Sequence, residues 1–201
     1  MSTTSTAFQG PAIGQRTPIA DDVTAARLAT AAGVVGLASV SCFAVFSVVG
    51  GPFGTLNDIG NGTLAVVSGA LAWALRRHVP VAATGAALGG AALAVVGSAL
   101  VISGTTGFFL AGLVSSVGFA GIGGWLIALV RSGATGDGTR RKLGLLAGAS
   151  MAVGILSLPG IPMRLDDMAT APGWIWIGFV GWFGTFLVYP FWAIAVGRTR
   201  S

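Results

Sequence analysis

The chain has 201 residues, of which 54% are hydrophobic and only 8% charged, with a mean hydropathy of +0.85. Water-soluble domains carry about 25% charged residues, so one is excluded and a polytopic, all-α membrane protein is indicated. Eleven Lys and Arg against six Asp and Glu leave a net charge of +5, which in so apolar a chain reports orientation in the bilayer rather than nucleic-acid binding.

Residues 1–26 are rich in Ser, Thr, Ala and Gly and hold two prolines, the composition expected of a flexible tail. The first apolar run, 28–49, follows Arg27 and carries no charge. At 1.5 Å per residue it covers about 33 Å, enough to cross the hydrocarbon. A cleaved leader competes here, because Val40-Ser41-Cys42 resembles a lipoprotein cleavage box. It fails on two counts: the apolar run continues through Phe43, Val45, Phe46 and Val48, and Ser39 stands where such boxes prefer an aliphatic residue.

The second span is predicted at 59–75. The glycines and proline of the stretch from Gly51 to Gly62 are expected to delay a clean helix start until about Asn57. Thr55, Asn57 or Asp58 would then cap it. Capping leaves a remainder, because Asn57, Asn61 and Ser68 share one helical face with Asp58 beside them. An amide one turn inside the span needs either a partner in the bundle or a water-filled pocket. Arg76, Arg77 and the lone His78 form the next loop, where a single histidine carries no site by itself.

Spans three and four are predicted at 81–103 and 107–130. Gly85/Gly89 in the third, like Gly144/Gly148 in the fifth, stand at i,i+4, a spacing that lets helix backbones approach closely within the bundle or between copies. Gly121-Ile122-Gly123-Gly124 lies inside an apolar run with no strand before it, so it reads as packing or a kink rather than a phosphate cradle. Between spans four and five, Arg131, Arg140, Arg141 and Lys142 flank a flexible stretch. Anionic lipid, attracting each basic residue by about 1 kcal/mol, accounts for them.

The fifth span, 143–158, is short and ends at Leu158-Pro159-Gly160-Ile161-Pro162. The loop Met163-Arg164-Leu165-Asp166-Asp167-Met168 follows. It reads as a short interfacial helix, or as a solvated loop with an internal Arg164–Asp pair. In a third reading Asp166 or Asp167 closes over the same vestibule as Asp58, giving the two carboxylates that acid/base chemistry needs. The sixth span, 174–196, would hold Trp174 and Trp176 at the outer interface and Tyr189 and Trp192 towards the inner one. Trp73, Trp125 and Trp182 read as bulky fillers.

Six spans place ten basic residues on one side and Arg164 alone on the other. The positive-inside rule then sets both termini, including 198–201, and the 131–142 loop in the cytoplasm. The breaks around spans two and five both open outward, which favours an external pocket between spans two, five and six over a mid-membrane alternating-access site. Asn57, Asp58, Asn61, Ser68, Arg164 and Asp167 are its candidate ligand-binding residues, and Asp58, Asp166 and Asp167 the candidate catalytic ones.

The expected function is binding or passage of a small or lipid-like molecule. The alternatives are a membrane enzyme with an Asp acid/base and a non-catalytic subunit of a membrane complex, as a homo- or hetero-oligomer. One Cys and one His leave no means of building an internal disulfide, a Cys/His zinc site or a bis-histidine haem, and no metal or cofactor is expected. The preference for Arg over Lys amid abundant Ala and Gly suggests a high-GC bacterial source, hence a bacterial cytoplasmic membrane.

Overall fold

The computed structural model describes residues 22–136 and 138–198. Most of the expected N-terminal tail (1–21), Asp137, and 199–201 with Arg200 lie outside the described residues. Among the described residues every regular element is helical. The first five segments are α1 (Val23–Val49), α2 (Phe53–Ala74), α3 (Val81–Ile102), α4 (Phe108–Arg131) and α5 (Thr139–Val153), the last extended by a 3-10 stretch over Gly154–Gly160. A sixth segment is broken into α6 (Ile175–Gly178), α7 (Val180–Phe183), a π turn (Gly184–Val188) and α8 (Tyr189–Gly197). Five of the six are long and apolar enough to cross a membrane, and α2 is the one that is not. Its opening turns carry Asn57, Asp58 and Asn61, which offset the apolar run behind them.

Helix starts follow local chemistry. α1 begins at Val23 because Asp22 accepts hydrogen bonds from the backbone N–H groups of Thr24 and Ala25, each at 3.0 Å. α2 begins at Phe53, earlier than the expected start near Asn57. Pro52 already has helical backbone angles (φ −72°, ψ −7°), and a proline at the mouth of a helix forfeits only an N–H that has no helical partner. Thr55, Asn57 and Asp58 are therefore interior residues of α2, not caps.

Close approaches set the directions of the segments. Gly36 lies beside Leu64 and Gly60 beside Ser39; Gly62 beside Ser98 and Gly69 beside Ala91; Gly97 beside Ser115 and Gly90 beside Gly118. Likewise Gly148 meets Ile127 and Gly154 meets Ser116, while Gly178 meets Ser157 and Gly184 meets Ser150. In every pair the numbers rise on one segment as they fall on the other, so neighbours are antiparallel. α1 closes the ring against α8, with Gly33 beside Ile194 and Gly197 beside Thr30. Arg27, Arg76, Arg77, Arg131, Arg140, Arg141, Lys142 and Arg198 consequently gather at one end of the bundle, and Asp58, Arg164, Asp166 and Asp167 lie towards the other.

α4 is the central helix: 67% of its apolar window is buried, against 22–44% for the other four. The basic half of the ring is filled by Leu71, Leu75, Trp125, Leu129, Tyr189 and Trp192, each fully buried. Tyr189 and Trp192 thus stack on one another inside the core (5.6 Å between centroids), with their rings turned into the bundle rather than outward. Trp174 and Trp176 do remain exposed.

The two glycine pairs behave oppositely. Gly144 and Gly148 pack against α4 and α8 as expected, but Gly85 and Gly89 face open space, with nothing within 4 Å of an added Cβ. The backbone crossing of α3 and α4 is made instead by Gly90, Gly118 and Gly121. Nor does the loop after Pro162 form an interfacial helix. It holds only a single 3-10 turn, Met168–Thr170.

Candidate functional site

Asn57, Asp58 and Asn61 come together in the half of the bundle away from the basic end. Gly60 has no side chain, so α1 comes close enough for Ser39 to reach α2. An added Cβ at Gly60 would lie 2.9 Å from the Ser39 hydroxyl oxygen. That hydroxyl donates into a cluster of acceptors: the Asn57 carbonyl at 3.0 Å, Asn57 Oδ1 at 3.0 Å and Asn61 Oδ1 at 2.7 Å. One hydrogen faces three oxygens. Asn57 Nδ2 in turn donates to Asp58 Oδ1 at 3.4 Å, a long contact for a hydrogen bond to a carboxylate. Asn57 and Asp58 are buried, at 3% and 8% exposure.

These groups form the polar floor of a cavity of about 220 Å³, against roughly 30 Å³ for one water molecule's share of the liquid. Its walls come from α1, α2, α3, α4 and the sixth segment. The fifth segment supplies no lining residue, because the central α4 stands between it and the cavity; the pocket expected between spans two, five and six is displaced accordingly. Four further hydroxyl residues, Ser98, Ser115, Ser116 and Thr185, line the space. The Thr185 hydroxyl donates to the Gly181 carbonyl at 2.9 Å, whereas the Ser98 hydroxyl is buried and has no hydrogen-bond partner.

Above the floor the walls are aromatic. Phe43 stacks on Phe108 (6.3 Å between centroids), and Phe108 meets Trp182 edge-on (6.0 Å), so rings link α1, α4 and α7 at the cavity wall. The irregular part of the sixth segment brings this about. It carries Gly178, Gly181 and Gly184, which press against Ser157, Gly154 and Ser150. Regular α geometry gives way there to a π turn, whose Thr185, Phe186 and Leu187 face the cavity. Single π turns inside helices often mark such sites. α1 packs on α8 and on the π turn. Just beyond, Phe183 and Leu187 both line the cavity and lie on the outer flank, at 64% and 44% exposure. The cavity therefore reaches the side of the bundle, level with Val40 and Phe43, about 9–14 Å in from the end of α1 at 1.5 Å per residue.

The other expected site residues lie elsewhere. Ser68 is fully buried below the cavity and accepts a hydrogen bond from Tyr189. Asp166 accepts from the backbone N–H groups of Gly107 (2.7 Å) and Leu110 (3.2 Å), and Asp167 from that of Ala169 (2.9 Å). Both carboxylates thus serve backbone turns, and neither lines the cavity that holds Asp58. Arg164 is exposed in the loop, with a left-handed φ of 52°.

Ser39, which bonds to the cluster, and Ser98, which lines the cavity, were not among the expected residues. Their only sequence signal is isolation within apolar runs. Among the described residues no group of His, Cys, Asp and Glu is placed to hold a metal ion.

The chain matches no protein-family model, no curated protein and no solved structure. The class is set by the molecule itself: an all-helical bundle whose long apolar helices are those of a multi-pass membrane protein.

Proposed function

We propose that all six segments cross the bilayer with the basic end in the cytoplasm, and that the protein binds an amphipathic molecule taken sideways from the outer leaflet. Crossing by α2 is supported by its connections. Three residues, Gly50–Pro52, join it to α1, and it runs antiparallel to both α1 and α3. Its polar residues Asn57 and Asp58 turn inward, so the helix offers lipid a more apolar face than its composition implies. Orientation follows from eight basic residues at one end against Arg164 at the other.

The observation that carries the binding function is the cavity itself: a buried polar floor under aromatic walls, open along the flank at Phe183 and Leu187. A polar head group would satisfy the floor while its tail left between α1 and α7. Apolar pockets with a few convergent polar groups are the usual form of small-molecule sites. The test is quenching by a brominated dodecanol in phosphatidylcholine nanodiscs, using the component of tryptophan emission lost in Trp182→Phe. Ala111→Leu, which adds three carbons to a buried wall position of the cavity, should remove that quenching. Unchanged quenching in the filled variant would contradict the proposal.

A further inference from the structure

The head group that fits this floor can be read from its donors and acceptors. Among the described residues Asp58 is the sole ionisable side chain in the lining, and no Lys, Arg or His accompanies it there. It is 8% exposed, and its carboxylate accepts one hydrogen bond, a long one from Asn57. A buried carboxylate without a cation is costly unless something supplies the missing charge or proton.

The amides beside it do not remedy this. Ser39 has one hydrogen for three acceptor oxygens, so the cluster has more lone pairs than this hydroxyl can satisfy. A second observation lies on α3. The hydroxyl of Ser98, 6% exposed, lines the same space and has no hydrogen-bond partner. A buried hydroxyl without a partner and an under-paired carboxylate lining one cavity mark a place for a donor-rich group. The aromatic walls favour the same ligand, because the faces of Phe and Trp rings attract cations.

We infer that the occupant is an alkylammonium-type amphiphile, with its N–H donors on Asp58, Asn61 and Ser98 and its apolar tail leaving past Phe183. This rests on the cavity being the binding site proposed above. An ammonium head matches the floor in charge and in number of donors. A carboxylate or phosphate head would instead set like charge against Asp58. A zwitterionic phosphoethanolamine head would bring its phosphate into the aromatic ring of Phe43, Phe108 and Trp182, where none of the described basic residues lines the wall.

The experiment measures binding of dodecylammonium, dodecanoate and dodecanol to the full chain in phosphatidylcholine nanodiscs, subtracting empty discs. A further arm adds phosphatidylethanolamine to the discs as a competitor. The wild-type protein should bind dodecylammonium at least ten-fold more tightly than dodecanol, and phosphatidylethanolamine should not displace it. Asp58→Asn should weaken dodecylammonium at least ten-fold and leave dodecanol within two-fold, and Ser98→Ala should weaken dodecylammonium alone.

Should Ala111→Leu abolish both ligands while Asp58→Asn leaves dodecylammonium unchanged, the cavity stands and the ammonium assignment is overturned. Should Ala111→Leu affect neither ligand, the cavity reading falls and the assignment with it. Equal wild-type affinity for dodecylammonium and dodecanol overturns the assignment even where a variant fails to fold.

Discussion

Tyr189 donates its phenolic hydrogen to the Ser68 hydroxyl at 2.9 Å across 121 residues of sequence, and neither residue is exposed. The bond ties α8 to α2 immediately below the cavity floor and separates the filled half of the bundle from the hollow one. Tyr189→Phe leaves the Ser68 hydroxyl buried without its donor, which should cost about 1–3 kcal/mol. Adding Ser68→Ala removes the orphan, so the double variant should lose less than the sum of the two single losses. Reversible unfolding in mixed micelles checks this, and strict additivity would deny the coupling.

The glycines separate packing from exposure. An added methyl at Gly118 would lie 2.5 Å from the Gly90 carbonyl oxygen and 2.6 Å from the Ala94 nitrogen, both backbone atoms that cannot rotate away. Gly118→Ala should therefore destabilise the bundle by about 1–3 kcal/mol. Gly85→Ala meets nothing within 4 Å and should be neutral or gain about 0.5–1 kcal/mol from lower backbone entropy in the unfolded chain. The same unfolding measurement compares them, and equal effects would show that the α3–α4 crossing lies elsewhere.

Asp166 caps a helix to which it does not belong. Gly107, at the N-cap position of α4, has no side chain with which to cap, and the carboxylate arrives from 59 residues away to accept from Gly107 and Leu110. Asp166→Ala should cost about 0.5–2 kcal/mol, with Asp166→Asn recovering much of it. Neither change should alter binding in the cavity. A loss of ligand binding in a stably folded Asp166→Ala variant would return Asp166 to the site.

Much of the fold is legible in the sequence because charge-free runs and arginine-bearing loops are dictated by the same bilayer. The boundaries of α3 and α4 match the predicted spans to within a residue. What the sequence hides is which face of an all-apolar helix turns inward. Gly85/Gly89 and Gly144/Gly148 share one spacing but opposite surroundings, because lipid and protein interior are equally apolar and leave no periodic mark. The polar half of the site shows as Asn57, Asp58 and Asn61. The aromatic half does not, since Phe43, Phe108 and Trp182 look like any span residues until the break in the sixth segment brings them together. Asp166 looked like a site residue because a cap supplied from another segment has no local signature.

Threading is open to direct labelling. In a Cys42→Ala background, Thr105→Cys lies in the exposed turn between α3 and α4, and Thr139→Cys lies exposed at the start of α5 on the basic end. A membrane-impermeant maleimide added to intact cells should modify the first and spare the second until the cells are opened. The reverse pattern would invert the bundle and put the cavity on the cytoplasmic side.

The central claim is that an amphiphile enters the cavity through the flank, and a photoreactive tail tests it most directly. Dodecylammonium bearing a terminal diazirine, irradiated with the protein in phosphatidylcholine nanodiscs, should leave its adducts on α1 around Val40 and Phe43 and on the sixth segment around Phe183 and Leu187. Those adducts should disappear in Ala111→Leu. Adducts spread over exposed flanks such as Val66 and Leu146, and unchanged by Ala111→Leu, would contradict the account.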